Sequence, residues 1–150
     1  MQTISIHADS KTSRILIGEK LSGLGRYIPK GKTILVTDGN ILKLYGRSFP
    51  DLPVISIGTG EKNKTLETLQ LIFDKLVEFE ADRSTFIVGI GGGIVCDVCG
   101  FAASVYMRGL RFGFVSTTLL SQVDASLGGK NGVNFRGYKN MQNYGRGLLT

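Results

Sequence analysis

The chain has 150 residues, 42% hydrophobic and 20% charged, with 21 glycines and 3 prolines, enough for one domain that buries a core without disulfide or metal staples. No stretch approaches the ~20 apolar residues of a membrane span. The opening MQTISIHADSKTS has neither the basic nor the apolar region of an export signal, so a cytoplasmic protein without membrane contact is expected. The net charge of +6 is uneven: 8 basic and 3 acidic side chains over residues 1–50, 4 and 8 over 51–100, and 6 and 1 over 101–150, where Asp124 is the lone carboxylate.

In chain order, Thr3 to His7 alternates around Ile4 and Ile6, turns through Asp9, Ser10 and Lys11, and returns as Arg14 to Gly18, which predicts a hairpin. A short helical piece follows at Leu21 to Tyr27. Thr33 to Thr37 is an apolar run of the kind buried on both faces of a sheet, ending in the turn Asp38-Gly39-Asn40. A second such strand, Pro53 to Ile57, ends in Gly58 to Lys64. Leu66, Leu69, Ile72, Phe73, Leu76, Val77 and Glu80 keep helical spacing, with Thr65 as N-cap. Thr85 to Ile90 is a third strand, Ile94 to Met107 a helix, Phe112 to Val115 a fourth strand, and Thr117 to Ala125 another helix start. Strands alternating with helices predict parallel βαβ units. Ligands of such sheets bind at the carboxyl ends of the strands, where this chain places its polar, glycine-rich segments.

Glycine is about twice its ordinary ~7% usage, with no repeat or low-complexity tract to account for it. Gly89-Ile90-Gly91-Gly92-Gly93, after a strand and before a helix, lets a phosphate approach backbone N–H groups where the helix dipole also favours an anion. The third glycine of a standard dinucleotide fingerprint would fall on Ile94, and no acidic residue stands about 20 positions on to read a ribose. Asp97, one turn into the helix, either complements the dipole or contacts a ribose or ring amide. Cys96 and Cys99 lack the second pair of a zinc ribbon, and His7, the only histidine, alternates with isoleucines as a structural residue would. No metal site is expected. The basic last third suits an anionic ligand; a nucleic acid is disfavoured because no recognition-helix, finger or RNA-module pattern is present.

The residues from Gly91 onward resemble one family closely. The pattern GGG-x-x-x-D-x-x-G-F-x-A-x-x-Y-x-R-G, then T-T-L-L-x-Q-V-D-[AS]-S-x-G-G-K, then N-x-x-x-x-K-N is that of 3-dehydroquinate synthase. The chain keeps it at Gly91 to Gly93, Asp97, Gly100, Phe101, Ala103, Tyr106, Arg108, Gly109, Thr117 to Lys130, Asn134, Lys139 and Asn140. The resemblance implies a Rossmann-like layered sheet, mostly parallel, with an N-terminal β-hairpin, over an NAD-binding domain of residues 1–141. It further implies that Asp38 and Asn40 face the adenosine side, Glu61 and Lys64 the ribose, and Gly92, Gly93 and Asp97 the pyrophosphate and nicotinamide ribose. Thr117 and Thr118 would meet the nicotinamide end, Lys130 and Lys139 cofactor and substrate. Asp124 and Asn140 would lie near the reacting carbon and substrate carboxylate, and Arg108 would reach the substrate phosphate. Asp124, Lys130, Asn140 and Arg108 are thereby the implied catalytic set.

The activity implied is a carbon–oxygen lyase reaction of the shikimate pathway, converting 3-deoxy-D-arabino-heptulosonate 7-phosphate to 3-dehydroquinate and phosphate with regenerated NAD and a divalent metal, zinc or cobalt, in a homodimer. The family's metal ligands, one Glu and two His, belong to a helical C-terminal domain that is not in this chain, so the chain alone is expected to be inactive. Three departures stand out. Ser116 replaces a usual proline, Cys96 replaces a usual glycine, and residues 142–150, QNYGRGLLT, leave the family pattern as a divergent tail. Other readings are a related sugar-phosphate cyclase of the inosose or valiolone synthase type, a glycerol-dehydrogenase relative, and, from a different class, a non-catalytic basic binding module.

Overall fold

The computed structural model describes residues 2–8, 11–127 and 129–144, and its centre is a parallel sheet built from the apolar runs. β1 (Gln2–Ala8) and β2 (Lys11–Ile17) pair antiparallel, with Ile4 opposite Ile15. The expected hairpin is present, although Asp9 and Ser10 of its turn lie outside the described residues. After a 3-10 turn at Leu21–Arg26 come β3 (Thr33–Asp38), α1 (Gly39–Tyr45), β4 (Val54–Ile57), α2 (Leu66–Glu78), β5 (Phe86–Gly91), α3 (Gly93–Val105) and β6 (Arg111–Ser116). Strand order is β4-β3-β5-β6, every pair parallel. The chain steps from β3 to β4 on one side and crosses through α2 to β5 on the other, so the order reverses between β3 and β5. That reversal opens a crevice at their carboxyl ends.

Period-two alternation makes this a three-layer domain. Ile34, Val36 and Ile87 point to the α2 and α3 side, where they meet Leu69, Ile72, Leu76, Val95, Val98 and Ala102. Leu35, Val88 and Ile90 point to the other side, against Leu21, Leu24 and Ile41 of the 3-10 turn and α1. A strand sandwiched in this way carries no polar alternation, which is why Thr33 to Thr37 reads as a continuous run. Each fully buried Ile or Leu contributes roughly 1.5–3 kcal/mol. Gly89 lets α3 sit low on β5: a Cβ there would lie 3.0 Å from Cys99 Sγ.

Four boundaries differ from expectation. α2 ends at Glu78 instead of Glu80, because Glu80 takes a left-handed backbone (φ 52°) and Ala81 N donates to Leu76 O at 2.8 Å, closing the helix C-terminus. α3 stops at Val105, and Met107, Arg108 and Gly109 turn the chain with φ of 48°, 73° and 111°. The expected turn Asp38-Gly39-Asn40 is the start of α1: Asp38 Oδ1 accepts from Asn40 N at 2.8 Å and Ile41 N at 3.0 Å. The helix start at Thr117 becomes a π-helical turn over Ser121–Ala125. One element was not expected at all: β7 (Asn131–Phe135) and β8 (Tyr138–Tyr144) form an antiparallel hairpin packed on α3 through Val133. Its turn, Arg136-Gly137, has φ of 48° and 84°, the pair of positive values a tight hairpin with native twist requires. β8 and its pairing run across the expected boundary at residue 141, while residues 145–150 lie outside the described part.

Candidate functional site

The carboxyl edge of the sheet gathers four segments: Asp38 after β3, Gly58 to Lys64 after β4, Gly91 to Gly93 after β5, and Ser116 to Thr118 after β6. Glycine at 91 and 92 is dictated by what lies against it. A Cβ on Gly91 would lie 2.5 Å from Val95 Cγ2, and one on Gly92 would lie 3.2 Å from Thr118 Cγ2. Gly92 is the N-cap of α3 and supplies no side-chain cap, so the N–H groups of the first turn have no intrahelical partner and face the crevice as anion donors. β6 is tied to this turn by Thr117 N donating to Gly91 O at 2.9 Å. Thr118 and Ser121 cap each other's turn reciprocally, Ser121 N to Thr118 Oγ1 at 3.2 Å and Thr118 N to Ser121 Oγ at 3.3 Å. Thr117 Oγ1 is buried and has no hydrogen-bond partner among the described residues.

Beside the glycine turn lies a polar network centred on Lys64, which is only 6% exposed. Its Nζ forms an ion pair with Asp97 Oδ2 and donates to Asn140 Oδ1 at 2.6 Å. Asn134 Nδ2 donates to Glu61 Oε1 at 2.7 Å, and Asn134 Oδ1 accepts from Asn140 N at 2.9 Å. Burial is the strongest influence on Asp97 and pushes its carboxyl above the usual range; the bond and charge of Lys64 pull it down, and the Asp124 and Glu61 carboxylates push it up again. Asp97 is therefore a partly buried carboxyl whose ionised form is favoured by Lys64. Glu61, Lys64, Asp97, Asn140 and Asp124 are thus brought to one place from β4–α2, α3, the π-helical turn and β8.

Other expected residues sit elsewhere. Asp38 is at the same sheet edge, but one of its oxygens caps α1, and Asn40 is exposed on that helix. Lys130 and Lys139 are exposed, flanking Asn131 and Asn140 of the hairpin, and Gly128 lies outside the described residues. Arg108 is not in this cluster. It stands between the end of α3 and the start of β6, at the amino edge of the sheet, one 13-residue helix or about 20 Å from the glycine turn. Two of the three departures from the family pattern meet: burial and Asp97 push the Cys96 thiol up to about 12, while a Ser116 hydrogen bond pulls it down. Asn134, although a residue of the family pattern, was given no role by sequence reasoning. The signal for it was present in two short β-prone runs separated by Arg136-Gly137, a hairpin that folds Asn134 back against Asn140.

A parallel sheet whose order reverses above a glycine turn, with an uncapped helix start and a buried lysine at the same edge, defines a Rossmann-like α/β domain with a site for an anionic, polar ligand. Residues 54–144 match the family model described as 3-dehydroquinate synthase N-terminal. The chain belongs to that family. It is 39% identical over 155 aligned residues to the 3-dehydroquinate synthase of Blochmanniella pennsylvanica (strain BPEN), covering 94% of this chain and 42% of that protein. It superposes on 2-deoxy-scyllo-inosose synthase complexed with carbaglucose-6-phosphate, NAD+ and Co2+ with a TM-score of 0.82 at 27% identity, covering 97% of this chain and 42% of the other. For ValA, the 2-epi-5-epi-valiolone synthase of Streptomyces hygroscopicus subsp. jinggangensis 5008 with NAD+ and Zn2+ bound, the TM-score is 0.70 at 30% identity over 77% of this chain and 34% of that one. The chain therefore spans less than half the length of the proteins it matches.

Proposed function

We propose that this chain supplies the NAD-binding part of a 3-dehydroquinate synthase, acting on 3-deoxy-D-arabino-heptulosonate 7-phosphate. The observation that carries the reading is the family match over residues 54–144, which spans the buried Lys64–Asp97 pair and the glycine turn in one site. The residues present fit NAD: uncapped N–H groups at the start of α3 suit a pyrophosphate, and the Thr117 hydroxyl, without a partner among the described residues, suits a polar ring substituent. When bound, NAD would accept hydride from a substrate hydroxyl and return it after phosphate has left. The chain's own part is positional. Gly91 to Gly93 admit the phosphates, Glu61 offers a carboxylate to a ribose, and Lys64 holds Asp97 ionised and Asn140 in place. Asp124, exposed beside them, and Asn140 would orient the substrate.

Among the described residues no three His, Cys, Asp or Glu side chains come together to hold a metal ion. The described residues do not fit that group. The family resemblance puts the ligands beyond residue 141, and with them turnover, so the 150-residue chain is proposed to bind NAD without catalysing the reaction. A cytoplasmic location and a homodimer belong to the same proposal. The inosose and valiolone synthase readings rest on lower identities, 27% and 30%, than the 39% shared with a 3-dehydroquinate synthase.

The test is thermal melting of the chain with NAD, with duplex DNA and with neither. A rise in melting temperature with NAD alone is expected. Stabilisation by DNA that fades with salt, and none by NAD, would replace this reading with a basic binding module. Synthase turnover by this polypeptide with zinc and NAD would refute its proposed inactivity.

A further inference from the structure

Asn134 lies on β7, partly buried, and makes three bonds, two to the loop after β4 and one to β8. Its backbone N donates to Lys64 O at 2.8 Å, its Nδ2 donates to Glu61 Oε1 at 2.7 Å, and its Oδ1 accepts from Asn140 N at 2.9 Å. A carboxylate needs a donor and an N–H needs an acceptor, so the amide orientation is determined. Asn140 is also one of five described non-glycine residues with positive φ, at 52°. A left-handed backbone costs a non-glycine residue about 1–2 kcal/mol, and Asn140 is held there from both ends, by Asn134 at its N–H and by Lys64 at its side chain.

We propose that Asn134 is a positioning residue of the site, whose single side-chain amide fixes the Glu61 carboxylate with its nitrogen and the left-handed Asn140 with its oxygen. It touches neither cofactor nor substrate on this account. It sets the distance between a carboxylate on the loop after β4 and an amide on the hairpin, beside the bond from Lys64 to Asn140. The inference rests on the proposed function in taking Glu61 and Asn140 as ligand contacts. Aspartate at 134 keeps the acceptor for Asn140 N–H but removes the donor and sets a second carboxylate against Glu61, whereas alanine removes both bonds. The two substitutions therefore separate the two arms.

The experiment uses the full chain as wild type, Asn134→Ala and Asn134→Asp, with hydrogen exchange of the Asn140 amide followed by NMR without ligand, and the NAD dissociation constant measured by calorimetry. Asn134→Ala is expected to speed Asn140 exchange and to weaken NAD, each by about tenfold. Asn134→Asp is expected to leave Asn140 exchange near the wild-type rate while weakening NAD by about tenfold or more. Unchanged exchange and unchanged affinity in Asn134→Ala overturn the proposal. So does identical behaviour of the two variants in both readouts, which is what a merely structural role gives. If Asn134→Ala does not fold, Asn134→Asp decides alone: protected Asn140 with weakened NAD supports positioning, and unchanged NAD affinity overturns it. A wild-type chain that does not bind NAD would overturn the proposed function instead, and the exchange pattern would still decide whether Asn134 holds Asn140.

Discussion

Lys64 is a charged side chain taken almost wholly out of water, tolerable because Asp97 and Asn140 receive its protons' bonds. Removing it leaves Asp97 buried without its counter-charge. Lys64→Met is expected to cost about 3 kcal/mol at pH 7, read from urea unfolding, and less at pH 4. The sign follows from Asp97. Its folded pKa is raised above the ordinary carboxyl value of 3.8 by burial first, so the folded chain binds more protons than the unfolded one between the two values. Stability from that proton is complete below 3.8, is lost as pH rises through the folded value, and the loss is steeper once Lys64 no longer offsets it. The thiols follow from the same burial. Cys96, raised to about 12, and the fully buried Cys99, raised further, form no disulfide. Thiolate is the reactive form, so neither is expected to react with Ellman's reagent at pH 8 until denaturant is added, when two thiols per chain should appear. Reaction of either in the native protein would show that α3 opens.

Between elements, the contact that matters most for the site is α3 against the β7–β8 hairpin, since the hairpin carries Asn134 and Asn140. Gly100 makes that contact possible: a Cβ there would collide with the side-chain amide of Asn131, itself buried on β7. Alanine normally gains about 1 kcal/mol over glycine inside a helix, but overpacking costs 1–3 kcal/mol, so Gly100→Ala is expected to lose about 1 kcal/mol net in urea unfolding. Gly93→Ala is the control. Its Cβ meets Ala125 Cβ at an ordinary 3.6 Å, and its stability should stay within about 0.5 kcal/mol of wild type. The same region marks where sequence reasoning stopped. The central strands were legible because burial on both faces demands unbroken apolar runs, and α2 because Thr65 and the three-four spacing announce it; Thr68 N indeed donates to Thr65 Oγ1 at 3.4 Å. The hairpin was not, because Lys139 and Asn140 drew attention as site residues and the alternation around Val133 is broken by a register shift between Val133 and Phe135. The glycine turn and the Glu61, Lys64 and Asp97 set could be named from the family pattern. Their joining through Asn134 could not, since a bond between residues 73 positions apart exists only once the hairpin has folded onto α3. Arg108, although close to the motif in sequence, lies a whole helix away from that set.

At the scale of the molecule, two segments expose several apolar side chains close together in sequence. Leu119, Leu120 and Val123 are 75%, 66% and 66% exposed on the helical turn that follows the site, and Ile4, Ile6 and Ile17 are exposed on the N-terminal hairpin. A two-stranded hairpin is marginal alone in water, and no described element outside its own pair contacts it extensively. Exposed apolar side chains of this kind favour association between copies. The net charge of +6 opposes association between copies, and salt weakens that repulsion within a Debye length of about 8–10 Å near physiological ionic strength. Apolar association and charge repulsion therefore predict a particular response: the sedimentation coefficient of the chain should rise with concentration, and rise further when salt is increased from 0.05 to about 0.5 M. Replacing Leu119 and Leu120 together by serine should abolish the rise if the turn is the contact, with no change in unfolding midpoint, because neither side chain belongs to the core. Replacing Ile4 and Ile6 by threonine, which keeps strand propensity, should abolish it if the hairpin is. A single species of monomer mass at every concentration and salt would show that neither patch drives self-association.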